Sequence, residues 1–266
     1  PRLAAGELTL ALALEESHHH RPLHVATRAE LKGDSLRLDG EKCFVLDGHS
    51  ADLLLVVART AGAPGDREGL SVVLVPRDSD GVDCQRTLMV DSRNAANIRF
   101  DNVTLPASAI LGEPGTAGDW LDAVLDRGRV ALAAEMLGST EEVFDRTVAW
   151  LKERVQFGVP IGSFQALQHR ASRLQAELEL ARSVVLQALA TVDDNPQQLA
   201  LVASLAKAQL NELVKLATNE AVQLHGGIGV TDELEIGFFL KRARVTMQIL
   251  GDTGFHKDRY ASIEGY

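Results

Sequence analysis

Three short stretches carry side chains suited to holding a dinucleotide: Arg154-Val155-Gln156-Phe157-Gly158, Phe164-Gln165 and Gln223-Leu224-His225-Gly226-Gly227-Ile228-Gly229. A guanidinium such as Arg154 offers a fixed fork of donors to a diphosphate, and glutamine side chains can donate to phosphate or accept from an adenine amine. Gly226 and Gly227 lack the Cβ that would hold a backbone away from such a ligand. Each has a plainer reading alone: Arg154 complements a helix dipole, and the glycines cap a helix. Asp126 and Arg129 stand three residues apart on one helix face, the spacing of an ordinary exposed intrahelical pair. Lys241, Arg242 and Arg244 read as a solvated helix face. His18, His19 and His20 suggest a metal at first sight, but consecutive side chains diverge in strand and helix alike, so a loop is expected and no metal.

The elements that must position these residues follow from periodicity. Up to about residue 111 the apolar residues alternate or come in short runs, as in Leu36-Arg37-Leu38, Leu53 to Ala58 and Leu70 to Val75, which predicts strands. Asp39-Gly40 predicts a hairpin turn, Asp101-Asn102 a second turn, and Thr60 to Gly69 a polar loop. After Gly112-Glu113-Pro114-Gly115 the period becomes helical, with helices from about Asp119 to Glu153, Phe164 to Thr191, Pro196 to Leu224 and Asp232 to Leu250. The breaks fall at Phe157 to Gly162, at Asp193-Asp194-Asn195-Pro196 and at Gly226-Gly227, where Pro or Gly interrupts the pattern. The expected fold is α+β: an antiparallel β-barrel or sandwich over residues 1–112, then a four-helix up-and-down bundle over residues 113–266.

Composition narrows the class. The chain has 266 residues, 45% hydrophobic and 24% charged, which excludes a disordered or collagen-like polypeptide. A net charge of -10 argues against general affinity for nucleic acid, so an anionic ligand must find local basic groups. No apolar run approaches the roughly 20 residues of a membrane span. Cys43 and Cys84 show neither zinc spacing nor a disulfide framework, and a reducing interior compartment, the cytoplasm, is expected. The chain begins with Pro rather than Met, as a processed or truncated polypeptide would.

Taken together, R-x-x-F-G at Arg154 to Gly158, a Gln eleven residues after the Arg, and Q-x-x-G-G at Gln223 to Gly227 resemble the acyl-CoA dehydrogenase family. The resemblance covers nearly the whole chain, as a middle β-domain and a C-terminal helical domain. It implies that the family's N-terminal helical domain is absent from this chain and that the 266 residues are the C-terminal two-thirds of a larger subunit. It also implies FAD as cofactor, with Arg154, Gln156, Phe157, Gln165, Gln223, Gly226 and Gly227 at its diphosphate and adenosine end. Asp126 and Arg129 match a D-x-x-R element that contacts the CoA nucleotide. The stretch from His225 to Glu233, followed by Lys241 to Arg244, resembles the bacterial branch that includes the small subunit of pimeloyl-CoA dehydrogenase, a member of heteromeric assemblies.

The flavin-ring side departs from the family pattern. Leu14 to Arg21 stands where the family carries T-E-P-G-x-G-S-D, and only Glu15 matches. Lys42 to Gly48 resembles K-x-W-I-T-N-G, with Phe44 for the Trp that covers the flavin and Leu46 for the Thr that reaches N5; leucine cannot make that hydrogen bond. Removal of an α-proton requires a base, in the family a Glu. The two usual positions hold Leu250 and Gly128, leaving Asp252, two residues displaced, as the nearest carboxylate. The resemblance therefore implies a subunit of a FAD-dependent acyl-CoA dehydrogenase with a degraded ring site that helps complete a partner's FAD site. Its expected partners are acyl-CoA, a homo- or hetero-oligomer such as a tetramer, and an acceptor such as an electron-transfer flavoprotein. The alternatives are a complete homo-oligomeric dehydrogenase or oxidase using Asp252, and a non-catalytic flavin-binding or structural protein of the same fold.

Overall fold

Alternating apolar residues build seven strands in the first half of the chain: β1 (Leu10–Ala13), β2 (Arg28–Lys32), β3 (Ser35–Leu46), β4 (Leu53–Arg59), β5 (Leu70–Pro76), β6 (Val82–Leu88) and β7 (Asn94–Pro106). The structure is a computed structural model and describes residues 2–266. The chain divides into two compact units, the boundary falling between Asp122 and Ala123.

The strands form one sheet in the order β1-β4-β2-β3-β7-β6, with β5 also on β4. Most pairings are antiparallel, as expected, but β1 and β2 run parallel to β4. A parallel neighbour needs a long connection, and the β2–β3 hairpin lies within the one between β1 and β4. Leu36, Leu38, Leu54, Val56, Ile98 and Phe100 form the core of this unit. Each such side chain contributes about 1.5–3 kcal/mol by leaving water.

Both expected turns are corrected. β3 runs straight through Asp39-Gly40, and β7 runs through Asp101-Asn102. The register passes from Leu38↔Val103 to Gly40↔Phe100, so Asp101 and Asn102 together oppose Asp39 as a β-bulge. Asn102 N donates to Asp39 Oδ1 at 2.7 Å, and Asn102 adopts φ +55. Gly40 is required there: its φ is +148, and a Cβ would lie 2.7 Å from Thr27 Cα. The hairpin turn is instead Gly33-Asp34, between the paired Lys32 and Ser35. Thr60 to Gly69 does join β4 to β5, held by the buried Arg59, whose guanidinium donates to the carbonyls of Leu23, Val25, Asp66 and Glu68.

The second half forms α1 (Ala117–Glu153), a hairpin of β8 (Val155–Gln156) and β9 (Val159–Pro160), α2 (Gln165–Asp194), α3 (Leu199–His225), α4 (Ile236–Thr246) and α5 (Thr253–Glu264). α2 buries Leu174, Leu178, Ala181, Val185 and Ala188, the alternating three- and four-residue spacing of one helical face. α3 is buried over most of its circumference, which explains its many alanines and leaves Lys207, Asn211 and Thr218 inside. The fourth helix is shorter than its periodicity predicts, and α5 is an addition to the expected four. Its start is a local signal that the apolar pattern hides: the Asp252 carboxylate accepts from Phe255 N at 2.8 Å as an N-cap. No helix among the described residues is long and apolar enough to cross a membrane.

Candidate functional site

Antiparallel packing brings the end of α1, the β8–β9 hairpin, the start of α2 and the end of α3 to one end of the helical unit. Arg154 follows the last residue of α1; its guanidinium lies 5.7 Å from the centre of the Trp150 ring and pairs with no carboxylate among the described residues. Trp150 in turn stacks on His225, the last residue of α3, at 5.2 Å and 24°. Burial pushes the His225 imidazole below its ordinary pKa, and its neutral Nδ1–H donates to Ala221 O at 2.7 Å. This Trp150–His225 stack joins the Arg154 motif to the Gly226-Gly227 motif, and the sequence reading missed it. Each ring adjoins a motif already singled out, but nothing local pairs two residues so far apart in the chain.

The seven residues expected at the diphosphate and adenosine end of FAD are thus gathered at one exposed end, while Phe44, expected at the flavin ring, belongs to the β unit. The Gln156 side chain donates to its neighbour's carbonyl, Val155 O, at 2.8 Å. Phe157, at φ +54 and 92% exposed, meets Phe164 edge-on. Gln165 opens α2 and Gln223 lies on the exposed side of α3. A Cβ on Gly226 or Gly227 would meet nothing within 4 Å, so the backbone there faces open space. A guanidinium without an anion, three exposed amides, exposed aromatic faces and bare backbone can together receive a diphosphate and a planar base.

The two positions where the family resemblance expects a base also meet, although 122 positions separate them. A Cβ on Gly128 would lie 3.0 Å from Leu250 Cδ1. The place is therefore aliphatic. Leu250 adopts φ +58, and its carbonyl accepts from Arg129 Nε at 3.2 Å and His256 Nε2 at 3.0 Å. Asp252, the substitute carboxylate, is engaged as the cap of α5.

Asp126 and Arg129 are not the exposed pair that their spacing allows. Their side chains are 3% and 0% exposed, 2.7 Å apart, and Asp126 also accepts two bonds from Arg259 at 2.7 and 2.9 Å. Arg129 lies over the Phe255 ring as well. In this arrangement the Arg129 guanidinium has no exposed surface, and the pair joins Arg259 as an internal clamp of α5 on α1.

In the β unit, Phe44 sits at φ +53 in an irregular stretch of β3, half-buried, with Leu46 two residues on. The loop before β2 is held by buried charge: Glu16 accepts from Lys42 Nζ at 2.7 Å, Ala26 N at 2.6 Å and Thr27 N at 3.0 Å. Burial alone would raise the Glu16 pKa, but Lys42 and these donors hold it below the ordinary value. The histidine triplet splits, with His18 and His19 exposed and His20 Nδ1 turned 2.5 Å from Glu15 Oε1.

Comparison with known proteins identifies the family of both units. The family model described as acyl-CoA dehydrogenase, middle domain, matches residues 13–103, and that described as acyl-CoA dehydrogenase, C-terminal domain, matches residues 119–262. The chain is 33% identical over 222 residues to a probable acyl-CoA dehydrogenase of Bacillus subtilis, covering 82% of this chain and 58% of that one. It is 31% identical over 248 residues to a mitochondrial short/branched chain specific acyl-CoA dehydrogenase of Rattus norvegicus, covering 92% and 57%. The chain therefore spans less than two thirds of these relatives' length. Among solved structures, an acyl-CoA dehydrogenase from Geobacillus kaustophilus matches with a TM-score of 0.94 at 28% identity, over 100% of this chain and 71% of that one. A glutaryl-coenzyme A dehydrogenase in complex with glutaryl-CoA matches at 0.92 and 27%, over 99% and 68%.

Proposed function

The chain belongs to the acyl-CoA dehydrogenase family, and from that premise we propose that it is a subunit of a FAD-dependent enzyme that dehydrogenates an acyl-CoA thioester between its α and β carbons. In this reading the helical unit supplies the diphosphate and adenosine end of a FAD site, while the chain's own ring site is degraded. FAD, when bound, accepts the hydride from the β carbon. Arg154 would neutralise the diphosphate, Gln156, Gln165 and Gln223 would bond phosphate and adenine edges, and Phe157 would cover an apolar surface. Gly226 and Gly227 would admit the ligand close to the backbone.

One asymmetry carries the reading. The adenosine-side residues suit the cofactor: their side chains or backbone are exposed, and among the described residues Arg154 pairs with no carboxylate. The ring-side residues do not: Leu46 has no donor, and the meeting point of Gly128 and Leu250 has no carboxylate. Asp252 would have to surrender its cap to act as a base. A second dehydrogenase chain carrying Glu completes the proposed assembly, a tetramer of the kind the pimeloyl-type branch suggests. An electron-transfer flavoprotein is the proposed acceptor and the bacterial cytoplasm the proposed location.

The test is the flavin content and chain composition of the native assembly. Co-purification with a Glu-bearing dehydrogenase chain and fewer than one FAD per polypeptide are expected. A homo-oligomer with one FAD per chain and full turnover of acyl-CoA would overturn the proposal.

A further inference from the structure

The proposed function gives no part to Trp150, the aromatic side chain that stands between the two dinucleotide motifs. Trp150 lies four residues before Arg154, one helical turn back. Its carbonyl accepts from Arg154 N at 2.9 Å, and Arg154 O accepts from Ile161 N at 2.8 Å on the far side of the β8–β9 hairpin. The main chain of Arg154 is thus fixed from both sides, and its side chain alone decides where the charge stands. That side chain is exposed and pairs with no carboxylate among the described residues. A long arginine stem in water samples many rotamers, and ordering it on an anion weakens the binding.

The indole limits that freedom. Arg154 Cζ lies 5.7 Å from the centre of the Trp150 ring, within the range over which a cation is drawn to a tryptophan face. The ring is itself anchored. It stacks on the His225 imidazole at 5.2 Å and 24°, and His225, 7% exposed, is tied to Ala221 O at 2.7 Å. His225 immediately precedes Gly226, whose φ of +70 turns the chain out of α3. The series Arg154, Trp150, His225 therefore runs from the cationic group of one motif to the bare backbone of the other. We infer that Trp150 is a positioning residue for the diphosphate subsite: backed by His225, its indole holds the Arg154 guanidinium ready for the anion. The inference rests on the proposed cofactor assignment and deepens it, by naming the side chain that orders the subsite before FAD arrives.

Rebinding of FAD to the deflavinated native assembly tests it, in a double-mutant cycle of Trp150→Leu and Arg154→Ala. With Arg154 present, Trp150→Leu should weaken rebinding about two- to fivefold, the worth of one exposed cation–π contact, and Trp150→Phe should lose less. With Arg154→Ala, the same Trp150→Leu change should cost nothing measurable, whereas a ring that merely packed would weaken binding alike in both backgrounds. If Trp150→Leu does not fold, fluorinated tryptophan, which keeps the shape of the ring but weakens its negative face, serves instead. Trp150 is one of two tryptophans in the chain, and repeating the measurement in Arg154→Ala isolates its contribution. Fluorination should then weaken rebinding only where Arg154 is present. Rebinding insensitive to the change of ring, or an equal loss in both backgrounds, would overturn the positioning role and leave the cofactor assignment standing. Rebinding unchanged by Arg154→Ala alone would overturn the assignment, and this inference with it.

Discussion

Replacing Asp126 by Asn should unfold the helical unit far more readily without acting through a CoA site. The carboxylate is 3% exposed and accepts one bond from Arg129 at 2.7 Å and two from Arg259 at 2.7 and 2.9 Å. Asn keeps the volume but removes the charge, and its amide nitrogen turns a donor toward a guanidinium. Breaking a buried ion pair from one side costs about 3–5 kcal/mol, because the remaining charges stay desolvated. For a unit of this size each kcal/mol is worth about 3 °C in melting temperature, so a fall of about 10–15 °C is expected by calorimetry or circular dichroism. Replacing Asp126, Arg129 and Arg259 together by apolar side chains should recover much of the loss, since a whole buried ionic cluster is often neutral in stability. A variant that melts within about 2 °C of the wild type, yet loses acyl-CoA binding in the assembly, would refute the internal clamp and restore the ligand contact.

Arg154→Ala should lower the FAD content of the native assembly and weaken rebinding by roughly tenfold or more, the worth of one or two charge-assisted bonds, while the melting temperature stays near that of the wild type. Glu16 has a folded pKa below its ordinary value, so it stabilises the β unit above the unfolded carboxylate pKa. That contribution is lost as the pH falls through the folded pKa, and in Glu16→Gln the acid limb of a stability profile should flatten. Gly40→Ala combines a positive φ with a close approach to Thr27 Cα and should cost more than about 1 kcal/mol in urea unfolding. Gly65→Ala, at φ +105 with open space around it, should show backbone strain alone and a smaller loss.

The sequence by itself determined the change from strands to helices, the breaks between the long helices, and the residue types available at the proposed dinucleotide site. Those features are written in neighbours a few positions apart: Pro and Gly interrupt a helix wherever they stand, and Leu174, Leu178, Ala181 and Val185 mark one face without reference to the rest of the chain. The expectation that Leu250 and Gly128 stand where a base is usual came from the family resemblance and not from local spacing. Tertiary structure decided what those signals were used for. The turn residues Asp39-Gly40 and Asp101-Asn102 meet as one bulge because β3 pairs with β7, and a propensity for turning does not reveal its partner. Asp126 and Arg129 look exposed on their own helix; Arg259, 133 positions beyond Asp126, buries them. Lys207 reads as one more helical lysine until Thr246 and Gly251 close over it. Burial and charge compensation depend on which distant segments pack together, and that is the information that local periodicity does not carry.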